Sequence, residues 1–216
     1  MASLAKIDIF NMTLALLGEP PASSIDTPST STEVIGQLSY NQARREVLRV
    51  HPWNFAERTD YLNRSGASSH GYTDAYTLPK ELVKILWVGE SYYKQDYTIR
   101  DNKSGGTEIH LNYSGASVLP IIYTADIHDV TKFDSLFIEL LSYKIGTKIA
   151  FYITKKHESV KEMNDLYNAT LLDAFSIDAQ EKPMKRIQTS KILNARKNIT
   201  GGGSSLDQGG KYIVFE

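Results

Sequence analysis

The run Thr30–Ala56, TSTEVIGQLSYNQARREVLRVHPWNFA, decides how the rest of the chain is arranged. Thr30 and Glu33 have the spacing of a capping box: the hydroxyl accepts from the amide three residues on, and the carboxylate reaches back to the cap amide. They predict a helix that opens after Thr30 and runs for about five turns. Gly36, Tyr40, Ala43, Val47 and Val50 recur at three- and four-residue spacing and share one face. Leu38 and Leu48 are read on the opposite side, with Arg44, Arg45 and Arg49 between the faces. Proline has no N–H for the helical ladder and drives His51 out of the α region, so Pro52 ends the helix. Trp53 and Phe55 follow at once. A long helix with two apolar sides and an aromatic plug reads as one packed between neighbours. Pro52, Trp53 and Phe55 are the expected junction between a helical bundle and whatever comes next.

Upstream, Leu4, Ile7, Phe10, Leu14 and Leu17 mark an amphipathic first helix, stopped by Gly18 and Pro20–Pro21. Downstream the period changes from helical to alternating. Runs at Arg58–Leu62, Tyr72–Leu78, Val83–Gly89, Tyr93–Arg100, Glu108–Tyr113 and Leu119–Thr124 are bounded by turn clusters and predict strands. Two of them, Tyr97–Arg100 and Glu108–Tyr113, read as a hairpin around the glycines at 105 and 106. Thr131 with Asp134 is the expected cap of a third helix, apolar over most of its circumference through Phe133, Leu136, Phe137, Leu140, Leu141, Ile145, Ile149 and Phe151. Gly146 and Ala150 leave room on it for close approach of another helix. A fourth helix carries Val160, Met163, Tyr167, Leu171 and Ala174 inward and Glu158, Lys161, Glu162 and Asp165 outward.

The fold class is therefore α+β: a bundle of about four helices with a small inserted antiparallel β domain and an extended C-terminal arm. The divisions are 1–56 and 128–183 for the two halves of the bundle, 57–127 for the insertion and 184–216 for the arm. The arm differs in kind. It holds six basic and two acidic residues, a net +4 against −5 for the remainder. Gly201–Ser205 has a flexible linker's composition. Beyond it Tyr212, Ile213, Val214 and Phe215 form a short β-prone segment. Lys185, Arg186, Arg196, Lys197 and this apolar tetrad are the expected subunit or portal docking residues, by addition to a sheet edge or seating in a groove.

Composition narrows the function. Among 216 residues, 24 basic against 25 acidic side chains give a net charge of −1, which argues against a protein built mainly to grip nucleic acid. There is no cysteine, which excludes disulfide scaffolds, thiolate zinc sites and cysteine nucleophiles. The apolar N-terminal run is interrupted by Lys6, Asp8 and Asn11, and no apolar span reaches the roughly 18 residues that suggest a membrane helix. A soluble product without a signal peptide is expected.

Several separated stretches resemble the head-to-tail adaptor family of short-tailed bacteriophages, also called tail tubular protein A. They are Leu14–Glu19; Tyr40, Ala43, Arg44, Val47 and Leu48 leading into His51–Ala56; Tyr76–Leu82; Tyr123, Asp129 and Phe133; and the region of Tyr167. Together they span roughly Leu4 to Pro183, and the His-Pro-Trp-Asn-Phe-Ala run is the most specific. The resemblance implies a dodecameric ring between the portal protein and the tail nozzle protein. Viral DNA would pass through it without sequence recognition, and the protein would be made in the bacterial host cytoplasm and reside in the virion. The glycine-rich arm has no counterpart in that pattern. A near-neutral chain suits a conduit, because phosphate contacts dominate DNA affinity and a basic lumen would retard transit. A neutral or acidic lumen is expected.

Catalytic and cofactor readings are weaker. The histidines at 51, 70, 110, 128 and 157 are scattered, without metal spacing. Asp126, Asp129 and Asp134 read as helix N-terminal carboxylates rather than a calcium loop. Gly201–Ser205 lacks the lysine of a phosphate loop. Tyr92, Tyr93, Tyr97 and Tyr113 with Lys94 and Arg100 could present a stacking platform for single strands, but tyrosine packs readily in strands. No cofactor, metal or enzymatic activity is expected. Two rival readings are an infection-associated glycan hydrolase, with Glu139 and Glu162 as its carboxylates, and a monomeric interaction protein.

Overall fold

The computed structural model describes residues 4–68, 71–89, 96–102, 105–113 and 116–181. The arm residues Lys185, Arg186, Arg196, Lys197, Tyr212, Ile213, Val214 and Phe215 lie outside them. Among the described residues the chain is α+β, with four α-helices and a curled six-stranded antiparallel sheet.

Helix α1 spans Lys6–Leu16 and α2 spans Ser31–Val50. The loop between them is organised by one buried carboxylate. Glu33 closes the capping box, accepting from Thr30 N at 3.1 Å while its own amide donates to Thr30 Oγ1 at 3.2 Å. Its two oxygens also accept from the amides of Ser23, Ser24 and Ser29 and from the hydroxyls of Ser23 and Ser29. These donors, the Ser29 amide first among them, hold the carboxyl far below its ordinary range. Asn11 ties the same loop to α1 through both its amide groups on Ala22.

Helix α2 buries Gly36, Tyr40, Ala43 and Val47, the expected face. Its second apolar side does not form. Leu38 is 70% exposed, whereas Leu48 is fully buried. The two leucines are not on one face: Leu48 stands one turn beyond Arg44 and widens the buried arc on that flank. Val50, expected inward, faces solvent. Gly36 has a packing reason, since a Cβ there would lie 2.3 Å from the end of the Phe10 ring.

Helix α3 spans Ser135–Thr154 and α4 spans His157–Glu181. The cap of α3 is Asp134 alone, accepting from Leu136 N. Thr131 sits in the preceding 3-10 turn, Val130–Lys132, where Asp129 binds its amide and hydroxyl. The expected Thr131–Asp134 box is thus displaced because Asp129 reaches Thr131 first. Phe151 is exposed rather than inward. Lys155, in the left-handed region at φ 57°, turns the chain between α3 and α4. Gly146 admits α4 closely, Met163 Sδ standing 2.9 Å from where a Cβ would be. On its other side α3 takes α1: Thr13 Oγ1, fully buried, donates to Ser142 O at 3.0 Å.

The strands are β1 (Glu57–Ala67), β2 (Asp74–Thr77), β3 (Leu82–Val88), β4 (Tyr97–Asp101), β5 (Thr107–Leu111) and β6 (Val118–Ala125), ordered β3-β6-β1-β2-β5-β4. The expected hairpin is β4–β5, with Ile99 opposite Ile109. Strand β1 is longer than its sequence pattern suggested. Its first half pairs with β6 and its second with β2, the β2 pairing being interrupted by a bulge between Arg64 and Gly66. One core lies among the helices and a second beneath the sheet, around Tyr76, Ile109, Leu111, Leu119 and Ile121. Ile127 packs against both, and Val83 of β3 belongs to the helical core.

The Glu33 hub has a pH signature. A carboxyl lowered on folding contributes stability that is complete above its ordinary value of 4.5 and is lost as pH falls through the folded value. Urea titrations of the wild type and Glu33→Gln should show the wider gap at neutral pH, with the two midpoints converging below about pH 4.5. A gap constant down to pH 3 contradicts the assignment.

Candidate functional site

The segment His51–Ala56 turns the chain out of the bundle. With no N–H at Pro52, α2 ends at Val50 and His51 becomes extended, φ −128° and ψ 145°. Trp53 N donates to His51 O, and a 3-10 turn at Asn54–Ala56 leads directly into β1. The last carbonyls of a helix lack intrahelical partners. Trp53 supplies one, folding back so that its Nε1–H donates to Val47 O at 3.0 Å. The indole is 1% exposed. Its edge meets Phe137 of α3, with centroids 5.3 Å apart, and Phe55 meets Phe137 at 5.0 Å and Phe133 at 5.7 Å. Both junction aromatics thus pack in the helical core, against the start of α3. The covalent step to the sheet follows at Glu57.

His51 forms the other flank. It stacks on Phe175 of α4 at 4.6 Å and presents its edge to Trp53 at 5.1 Å. Its Nε2–H donates to Asp178 Oδ2 at 2.6 Å. Asp178 Oδ1 accepts from Asn54 N, and Asn54 Nδ2 donates to the Asp178 carbonyl. Nothing near Asp178 in the sequence announces this role, because the partner lies 127 residues away.

The sheet is held to α2 by its arginines. Arg44 is buried, donating from Nη2 to Asp126 Oδ1 and from Nη1 to His128 Nδ1, each at 2.8 Å. A guanidinium only donates, so His128 Nδ1 is the acceptor and carries no proton in this arrangement. Arg45 approaches the same carboxylate at 3.7 Å. Arg49 donates to Val83 O, and Lys84 of β3 returns a bond to Arg49 O. Asp126, read from sequence as a helix-terminal carboxylate, is instead the partner of Arg44. Asp129 and Asp134 do cap their turns, and the Thr131 hydroxyl and amide hold the Asp129 carboxyl below its usual range. Burial pushes the Tyr40 phenol up to about 12, against the opposing effect of the Arg44 charge.

The other singled-out residues are dispersed. His110 meets Ser68, and His157 stacks on Phe151. Tyr97 and Tyr113 pack against the core beneath the sheet, while Tyr92, Tyr93, Lys94 and His70 are outside the described residues. Glu139, exposed on α3, accepts the Tyr143 hydroxyl at 2.7 Å, and Glu162 is exposed on α4. Among the described residues no group of three or more His, Asp or Glu is placed to hold a metal ion, and no helix is long and apolar enough to cross a membrane.

Among the described residues, apolar side chains remain exposed on several outward faces. Met12, Ala15 and Leu16 of α1, with Ile138 and Tyr143 of α3, line an open groove of about 660 Å³. Leu38 of α2 borders a second of about 550 Å³ with Arg45, Arg49 and Val83. Leu172 and Ile177 are exposed on α4.

Truncating Trp53 to alanine removes a buried ring together with the bond that closes α2. A loss of about 3–5 kcal/mol is expected in equilibrium unfolding of the isolated chain. A loss under about 1 kcal/mol would show that the elbow does not depend on the ring.

No known family model matches this chain, and the curated proteins compared with it give no match.

Proposed function

We propose that the chain is a structural adaptor of the short-tailed phage type. Twelve copies would form a ring that joins the portal protein to the tail nozzle protein and lines part of the DNA ejection channel within the virion. The observation that carries this reading is the distribution of exposed apolar side chains over different flanks of one bundle, at Met12 and Leu16, at Leu38, and at Leu172 and Ile177. A ring is closed by heterologous contacts, in which each subunit offers two unlike surfaces to its two neighbours. Apolar side chains gathered along an open groove, as at Met12 and Leu16, are a mark of interaction surfaces. The resemblance of the sequence from Leu4 to Pro183 supports the same reading, as does the bundle interrupted by a sheet. DNA would pass without base readout, and a neutral or acidic lumen would keep phosphates from being held.

Native mass spectrometry and negative-stain imaging of the purified protein, with and without a portal ring, provide the test. Twelve-subunit rings on the portal are the expected result. A protein that neither forms rings nor binds a portal overturns the proposal, and portal binding at another stoichiometry overturns its dodecameric part. Deleting Leu206–Glu216 should leave the thermal unfolding midpoint unchanged and abolish ring formation. Loss of soluble protein on that deletion would instead give the segment a place in the subunit's own folding.

A further inference from the structure

The two halves of α4 are held by different means. The first half buries Met163 against Gly146 and Tyr167 in the helical core, and Ala174 is fully buried two turns later. From Phe175 onward the support thins. Leu172 and Ile177 face solvent, Phe175 is half-buried on the His51 ring, and among the described side chains from Phe175 onward Asp178 is the buried one. The cohesion of this end is therefore polar and local. One carboxylate takes the His51 Nε2–H and the Asn54 amide, and the Asn54 side chain takes the Asp178 carbonyl. Elements with few buried apolar contacts open at low free energy, independently of the core they lie on.

We infer that His51, Asn54 and Asp178 form a latch that docks the last two turns of α4 onto the elbow, and that these turns can open while the rest of the bundle stays folded. The latch explains why a histidine precedes Pro52 and an asparagine follows Trp53, two positions that the packing of Trp53 and Phe55 leaves unaccounted for. His51 acts twice, as the ring that Phe175 stacks on and as the donor to Asp178. Asn54 approaches Asp178 through both backbone and side chain, so the carboxylate and carbonyl of a single residue hold the helix end. Opening would expose the Phe175 face and free the stretch from Phe175 to Glu181 to take another direction. The device is independent of any ring.

Amide hydrogen exchange read by mass spectrometry on the full chain tests it, with Asp178→Ala, Asp178→Asn, His51→Ala and the exposed control Asp173→Ala. Asp178→Ala should accelerate exchange across residues 176–181 at least tenfold, leaving Ser135–Thr154 and Met163–Tyr167 at wild-type protection. His51→Ala should do the same, and the double variant should add little, since both remove one interaction. Asp173→Ala should change nothing. Unchanged exchange at 176–181 in Asp178→Ala overturns the latch. So does a loss of protection spread evenly over the bundle, because Asp178 would then belong to the global core. If Asp178→Ala does not fold, Asp178→Asn is read by the same two criteria.

Discussion

The fold depends on the indole of Trp53 being tucked beneath the end of α2. A helix that stops at a proline leaves carbonyls without partners, and in an apolar interior each such group is costly. Trp53 answers that need with its one donor and fills the space with its ring. It can do so only because Pro52 throws the chain into an extended conformation before it. The same ring then becomes the floor on which Phe55, Phe133 and Phe137 assemble. Removing the stop would let α2 run on and take from the start of α3 the aromatic floor that Trp53 and Phe55 provide. Local backbone chemistry and long-range packing are here one event.

Arg44 adds a second constraint of a different character. A buried cation is tolerable only when paired and hydrogen-bonded, and Asp126 and His128 provide both. Such a pair adds little net stability over a well-packed apolar substitute, but it accepts few geometries. It therefore fixes where the chain leaving β6 must pass over α2. Charge and hydrogen bonding thus add to the apolar contacts of Val83 and Ile127 in setting the sheet against the helices.

Much of this was legible in the sequence because it is local. The Thr30–Glu33 box, the proline stop, the glycine that ends α1 and the change from helical to alternating period each declare themselves within a few residues. The hairpin at Tyr97–Leu111 was legible for the same reason. What escaped is what depends on distant chain. Leu38 and Leu48 looked alike until the neighbours of Arg44 decided which flank was covered. The additional donors to Glu33 come from a serine-rich loop that reads as featureless. Asp178 is an ordinary acidic residue until His51 is brought to it. Thr131 lost its expected partner to Asp129 because two caps of similar strength lay one turn apart, and spacing alone does not rank them.

Strand β1 carries a consequence for how the molecule assembles. Arg44 and His128 are 84 residues apart, and closing so long a loop from an open coil costs about 4 kcal/mol in chain entropy before any contact is made. The pairing of β1 with β6 sets Glu57 opposite Thr124, thirteen residues after Arg44 and four before His128. Once the sheet is zipped, the long loop has already been closed, and only the short stubs on either side remain to be ordered. The inserted strands thus serve as a splice for the bundle that surrounds them. Because α3 follows the strands along the chain, α1 and α2 can meet it only after those strands have been made.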